Sequence, residues 1–240
     1  LCIDIGNTRT KVAVFDHEEV VHFTAKKKWL VSDFKKLVEK YKIKRSIMST
    51  VKKSKERYLN YLKKNTRLIE LTHKTPVPIT NKYGTPKTLG RDRLAAVIGA
   101  FASYPKKNNA VIDIGTCVKF DFIDKDGTYF GGNIAPGVEM RLKAMHHFTA
   151  ALPSIKYKQA KNLLGLSTGE AMNNGAVLGV VFEIESFIRR LKAEKGSINV
   201  ILTGGGASFF GEFVKSKIFV DSLLILKGLN KIASYQKENT

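Results

Sequence analysis

The 240 residues are 43% hydrophobic and 26% charged, which fits a folded globular protein of one large or two small domains and excludes a disordered or fibrous one. Lys and Arg number 41 against 21 Asp and Glu, a formal charge of +20 that favours anionic ligands. The longest apolar runs, residues 95–102 and 176–182, fall far short of the ~18 residues that cross a bilayer, so no membrane is expected as partner and a cytoplasmic home is expected.

Two cysteines, Cys2 and Cys117, are too few for a disulfide framework and read as reduced thiols. The first predicted strand carries Ile3-Asp4-Ile5 into Gly6-Asn7-Thr8, and a second strand runs over residues 11–15. A shortened copy, Ile112-Asp113-Ile114-Gly115-Thr116, followed by a strand over 119–123, lies near the middle of the chain. One Asp-x-Gly turn alone is most simply a turn. Its repetition points to phosphate binding: glycine lets backbone approach closely, threonine and turn amides donate hydrogen bonds, and the aspartate holds a neutralising cation.

After the first hairpin, residues 20–24 read as a strand. Ser32 reads as the N-cap of a helix with Phe34, Leu37, Val38 and Tyr41 on one face. A strand over 46–51, a helix over 54–65 and a strand over 67–71 follow, an alternation that predicts parallel strands added to the opening hairpin. Residues 26–67 hold sixteen Lys and Arg against three acids, Asp33, Glu39 and Glu56. They are spread over two amphipathic helices with few aromatics among them and no nucleic-acid motif, so they read as a solvated basic surface, not a nucleic-acid site.

Residues 75–90, with Pro76, Pro78, Gly84, Pro86 and Gly90, form a long loop. It ends in Gly90-Arg91-Asp92-Arg93, before a helix whose buried stripe is Leu94, Ala95, Ile98, Phe101 and Ala102. Asp92 either caps that helix or serves a site. The second half repeats the acidic hairpin, turns at Asp126-Gly127, continues as a strand over 129–135 and enters a helix over 138–148. His146 and His147 on that helix lack partners at metal spacing and read as surface or packing residues.

A long helix runs from about Thr168 to Lys195. Either Ser167 or Thr168 caps it, or an exposed hydroxyl and the free amides there hold a ligand. Its small residues Gly175, Ala176 and Gly179 admit close approach by another element, such as an identical subunit. A strand over 200–203 enters Gly204-Gly205-Gly206-Ala207, a side-chain-free surface against which a flat ring such as adenine fits. A strand over 218–221 and a helix over 226–236 close the chain.

Two acidic hairpins and a late glycine turn resemble the actin-like ATPase and sugar-kinase superfamily over the whole chain. That implies an α/β fold of two similar ribonuclease-H-like domains, residues 1–107 and 108–240, each a mixed sheet flanked by helices. Six motifs are similar, in order and spacing, to those of type III pantothenate kinase: Asp4-Ile5-Gly6-Asn7-Thr8, Tyr83, Gly90-Arg91-Asp92-Arg93, Asp113-Ile114-Gly115-Thr116, Gly131-Gly132-Asn133-Ile134-Ala135-Pro136-Gly137, and Ser167-Thr168-x-x-Ala171-x-x-x-Gly175.

The resemblance implies transfer of the ATP γ-phosphate to the terminal hydroxyl of pantothenate, the first step of coenzyme A synthesis. It puts ATP contacts on Asp4, Ile5, Gly6, Asn7, Thr8, Arg9, Thr10, Lys11 and Thr116, with Asp4 near Mg2+. The general base falls on Asp92, and substrate contacts on Tyr83, Gly90, Arg91, Arg93 and Thr168. Asp113 matches an aspartate that binds a monovalent cation, K+ or NH4+, and members of the family are homodimers with the site at the subunit interface. Where the family commonly reads Asp-x-Gly-Thr-Ala-x-Thr-x-Asp, this chain has Cys117 for the alanine and Lys119 for the second threonine. That lysine either adds positive charge near the phosphates or points to solvent. A transcriptional accessory role, which some proteins of the family were first given, and another kinase or phosphatase of the superfamily are the alternatives.

Overall fold

The computed structural model describes residues 1–50 and 57–238. They form two compact units. The first comprises Leu1–Lys107, Ile123–Gly131 and Leu223–Thr240, the second Asn108–Phe122 and Gly132–Ser222. The chain therefore first changes unit at 107/108, and two later segments return to the first unit.

In the first unit β1 (Cys2–Ile5) and β2 (Thr10–Asp16) make the opening hairpin, and β3 (Glu19–Lys26) extends it antiparallel. Helix α1 (Val31–Lys40) returns the chain to β4 (Arg45–Thr50), and α2 (Arg57–Asn65) leads to β5 (Arg67–Glu70). Both later strands add in parallel, giving the order β3-β2-β1-β4-β5. The expected strand to 51 and helix from 54 are seen from the described residues only; 51–56 lie outside them. The apolar stripes of the two helices close one face of this sheet. Phe34 is buried between Trp29 (centroids 5.0 Å) and Tyr58 (4.5 Å), over Ile3, Val12 and Met48.

Ser32 does not cap α1. The helix begins two residues earlier than that, at Val31, Leu30 is its N-cap, and the Asp33 carboxylate accepts from the Leu30 N–H at 3.0 Å, which satisfies one donor at the helix start.

The loop before α3 (Arg91–Ser103) contains a two-residue strand, β6 (Thr80–Asn81), which pairs in parallel with the first residues of β9 (Thr128–Pro136). Helix α3 is not amphipathic. Residues 92 to 100 are all buried, because its far side packs on α7 (Leu224–Glu238), which in turn lies on β1, β2 and β4. The two helices meet through glycines: a Cβ at Gly99 would collide with the Leu224 carbonyl, and one at Gly228 with the Ala95 carbonyl oxygen.

The second unit repeats the plan. Strands β7 (Asn108–Ile114) and β8 (Cys117–Ile123) form the second hairpin and β9 follows β8. Strand β10 (Ile198–Thr203) lies parallel to β7, and β11 (Phe219–Val220) parallel to β10. Read outward from the hairpin's first strand, the neighbours are the second and third strands on one side and the fourth and fifth on the other, as in the first unit. Helices α4 (Val138–Phe148), α5 (Thr168–Lys195) and α6 (Ala207–Gly211) connect them. This unit has its own core, built on Ile112, Val118, Phe120, Val177, Ile184 and Leu202.

Candidate functional site

The first hairpin turns tightly enough that the Gly6 N–H donates to the Arg9 carbonyl at 3.2 Å, and a Cβ on Gly6 would stand 3.1 Å from that oxygen. Asn7, Thr8 and Arg9 are exposed at the tip, while Ile5 and Thr10 are buried where the strands meet. Asp4 is buried on β1, one residue before the strand ends. Its Oδ1 accepts from the Ser49 hydroxyl at 3.0 Å, since Ser49 lies beside it in the parallel β1–β4 register. On the other side of Asp4, Lys11 stands opposite it on β2. The Cys2 thiol on the same strand is pushed up to about 12 by burial, so it stays protonated and is a packing residue, not a nucleophile.

Gly90 is the N-cap of α3 and Asp92 lies in its first turn, buried, with Oδ1 accepting from the Arg93 N–H at 3.0 Å. The N-cap position itself belongs to Gly90, with no side-chain cap hydrogen bond, while Asp92 accepts from one amide of the first turn. Arg91 turns its guanidinium back onto the carbonyls of Leu89 and Lys87 and so braces the loop. Arg93 is buried and lies 5.3 Å from the centre of the Tyr83 ring, which is stacked at 15° on Tyr129. Gly131, at φ 109°, makes room for that ring, since a Cβ there would lie 2.9 Å from Tyr83 Cδ2. Tyr83, Gly90, Asp92 and Arg93 are thus brought together by one loop and one helix start.

In the second unit Asp113 is buried one residue before β7 ends, and the Lys119 ammonium on β8 donates to its Oδ2 at 2.7 Å. Thr203 lies beside Asp113 in the parallel β7–β10 register, the position that Ser49 holds beside Asp4. Its buried hydroxyl has no hydrogen-bond partner among the described residues. Each unit therefore places an aspartate near a strand end, a hydroxyl residue on the parallel neighbour and a lysine on the hairpin partner. Nothing in the sequence pattern marked Ser49 or Thr203 beyond a polar residue closing an apolar strand.

The second tip, with Gly115 and Thr116 exposed, is surrounded by backbone. The Gly206 N–H donates to the Ile114 carbonyl at 2.9 Å and the Gly137 N–H to the Thr116 carbonyl at 3.0 Å. Gly204, at φ 92°, comes so near Asp113 that a Cβ would collide with Oδ1, whereas one at Gly205 would meet open space. The result is a surface poor in side chains beside the tip, as a flat ligand requires.

Ser167, not Thr168, caps α5, accepting from the Glu170 N–H at 3.3 Å and leaving Thr168 exposed in the first turn. Two buried asparagines on α5 carried no motif. Asn173 accepts from the Lys158 N–H at 2.8 Å and Asn174 donates to the Asn162 carbonyl at 2.9 Å, which fixes the irregular stretch ahead of the helix. The His146 ring lies 2.7 Å from the Leu152 carbonyl oxygen and His147 packs edge-on to Phe148, as packing residues do.

Among the described residues no three His, Cys, Asp or Glu side chains come together as a metal cage. Mg2+ arriving with a nucleotide needs no cage, because phosphate oxygens, water and one or two carboxylates hold it. Asp4, beside an exposed tip, fits that requirement. A potassium or ammonium ion at Asp113 does not fit. One carboxylate oxygen already carries an ammonium, the Gly204 backbone stands close to the other, and the Thr203 hydroxyl alone is one ligand.

The family model for type III pantothenate kinase matches residues 1–190. A type III pantothenate kinase of Phocaeicola vulgatus is 43% identical over 236 residues, 98% of each chain. One of Bacteroides fragilis is 40% identical over 236 residues, 98% of this chain and 97% of the other. Among solved structures, one described as a Baf family transcriptional activator from Campylobacter jejuni matches with TM-score 0.62 at 19% identity, covering 99% of this chain and 98% of that one. At that identity the likeness speaks for the fold, which is the fold of actin-like ATPases and sugar kinases. With its two repeated units, its paired acidic hairpins and close relatives along nearly its full length, the chain belongs to the type III pantothenate kinase family.

Proposed function

We propose that the protein phosphorylates pantothenate at its terminal hydroxyl with ATP, the first step of coenzyme A synthesis. The observation that carries this reading is the 43% identity to a type III pantothenate kinase over 98% of the chain. The repeated aspartate hairpins supply the chemistry it needs. Tip amides and the hydroxyls of Thr8 and Thr10 suit phosphate oxygens, with Ile5, Gly6, Asn7, Arg9 and Lys11 completing the ATP segment and Thr116 contributing from the second tip. Asp4 would hold the Mg2+ that arrives with ATP, which would supply positive charge to the phosphate oxygens.

Asp92 acts as general base. The substrate oxygen bonds to the γ-phosphorus as the bond to the bridging oxygen breaks, the hydroxyl proton passes to the Asp92 carboxylate, and ADP leaves. Tyr83, Gly90, Arg93 and Thr168 shape the acceptor's place, and the planar fork of Arg93 suits a carboxylate such as that of pantothenate. Arg91 serves by bracing the loop that carries them.

A homodimer belongs to the same reading. Phe148 at the end of α4, Leu163, Leu164 and Leu166 before α5, and Phe182 on it are exposed apolar side chains that a second copy would cover. Among the described residues no helix is long and apolar enough to cross a membrane, and a cytoplasmic location is proposed because ATP is there. The regulatory alternative is not favoured, since its basic surface has no nucleic-acid motif. A coupled assay of ADP release tests the function: ADP should form with pantothenate and Mg2+ present, and formation unaffected by omitting pantothenate would refute it.

A further inference from the structure

We infer that the Lys119 ammonium supplies the positive charge beside Asp113 that a soluble monovalent cation would otherwise supply, so that this kinase works without potassium or ammonium ions. The inference rests on the kinase reading above and concerns the same site. Its ground is the misfit between the residues around Asp113 and a free ion.

The contact is short and sheltered. Lys119 Nζ lies 2.7 Å from Asp113 Oδ2, with the two side chains only 21% and 12% exposed. A pair so placed is less screened by water than a surface ion pair, and removing the lysine would leave a carboxylate with little solvent to compensate it. A potassium ion on the same oxygen would sit against a fixed like charge. The other oxygen has the Gly204 backbone on one side, so near that a Cβ there would collide with it, which narrows the room for an ion. Being built into β8, the ammonium also has a high effective concentration, which a dissolved ion must match from solution.

The arrangement is not an isolated accident of one rotamer. Lysine follows the aspartate by seven residues in the first hairpin, at Lys11, and by six in the second, at Lys119. In the first hairpin the lysine stands directly opposite the aspartate in the strand register. The chain thus places an aspartate and a lysine on the paired strands of both hairpins, and Lys119 and Asp113 form an ion pair.

Wild type, Lys119→Thr and Lys119→Met are compared in KCl and in choline chloride of equal ionic strength, by pantothenate-dependent ADP formation and by melting temperature. Wild type should change by less than about twofold between salts, as expected when the charge is already covalently in place. Lys119→Thr should lose about tenfold or more in choline chloride and regain activity in KCl, and its melting temperature alone should rise with potassium. Lys119→Met should be slow in choline chloride. The inference is overturned if wild type loses about tenfold or more without potassium, or if Lys119→Met in choline chloride matches wild type. Absence of ADP formation in every salt would refute the kinase reading instead. The melting curves would then decide the inference by themselves, since a potassium-dependent rise in wild type contradicts it and a rise confined to Lys119→Thr supports it.

Discussion

Asp92 and Asp4 are both buried carboxylates near the end of a regular element, yet their neighbours differ in kind. Asp4 is held by a hydroxyl from the next strand, whereas Asp92 accepts from the neighbouring Arg93 amide and shares its loop with an aromatic ring and an arginine. Gly131 is the residue on which that ring depends. Gly131→Ala forces a side chain into φ 109° and against Tyr83, a strain of roughly 1–3 kcal/mol. We expect a raised KM for pantothenate with kcat and the KM for ATP less affected, measured by steady-state kinetics with each substrate varied. The aspartates were legible because each sits in a fixed Asp-x-Gly motif. Ser49 and Thr203 were not, because their importance follows from a register between strands 45 residues apart in one unit and 90 (203 − 113) in the other.

Helix α3 presents Asp92, so whatever fixes α3 fixes the proposed base. Its glycine crossing with α7 is the tightest such contact in the first unit's helices, and Gly228→Ala puts a methyl onto the Ala95 carbonyl. Overpacking of this kind costs about 1–3 kcal/mol, so thermal unfolding should fall by several degrees. In the second unit Glu185 on α5 ties down the approach to β11, accepting from the Lys215 and Ser216 amides and, at 2.8 Å, from the Ser216 hydroxyl. Burial pushes its carboxyl up, but these hydrogen bonds together hold it below the usual 4.5. A depressed folded value means stability that is complete above 4.5 and is lost as pH falls through that value. Glu185→Ala should therefore lower the melting temperature at neutral pH, by about 1–2 kcal/mol of stability, with the difference from wild type shrinking below pH 4.5. Helices α4 and α5 could be read closely from sequence because capping residues and glycines mark their ends. Helix α3 was misread as one-faced because a helix buried on all sides has no apolar stripe to detect, and β6 is too short to rise above the prolines around it.

At the scale of the molecule, the same strand order built twice is what the duplicated hairpin motif announced. Unit membership was less legible. The segments Ile123–Gly131 and Leu223–Thr240 follow second-unit residues in the chain but pack with the first unit, because α7 finds its glycine partner on α3 and the start of β9 finds β6. Packing between helices more than a hundred residues apart leaves no local periodic signal. The charge of +20 fits anionic substrates.

Transfer of labelled γ-phosphate from ATP to pantothenate, followed in wild type and Asp92→Asn side by side, tests this account most directly. Wild type should form phosphopantothenate. Asp92→Asn should melt within a few degrees of wild type while its kcat drops by about 10²–10⁴-fold. A folded Asp92→Asn protein that transfers phosphate at the wild-type rate would contradict the account.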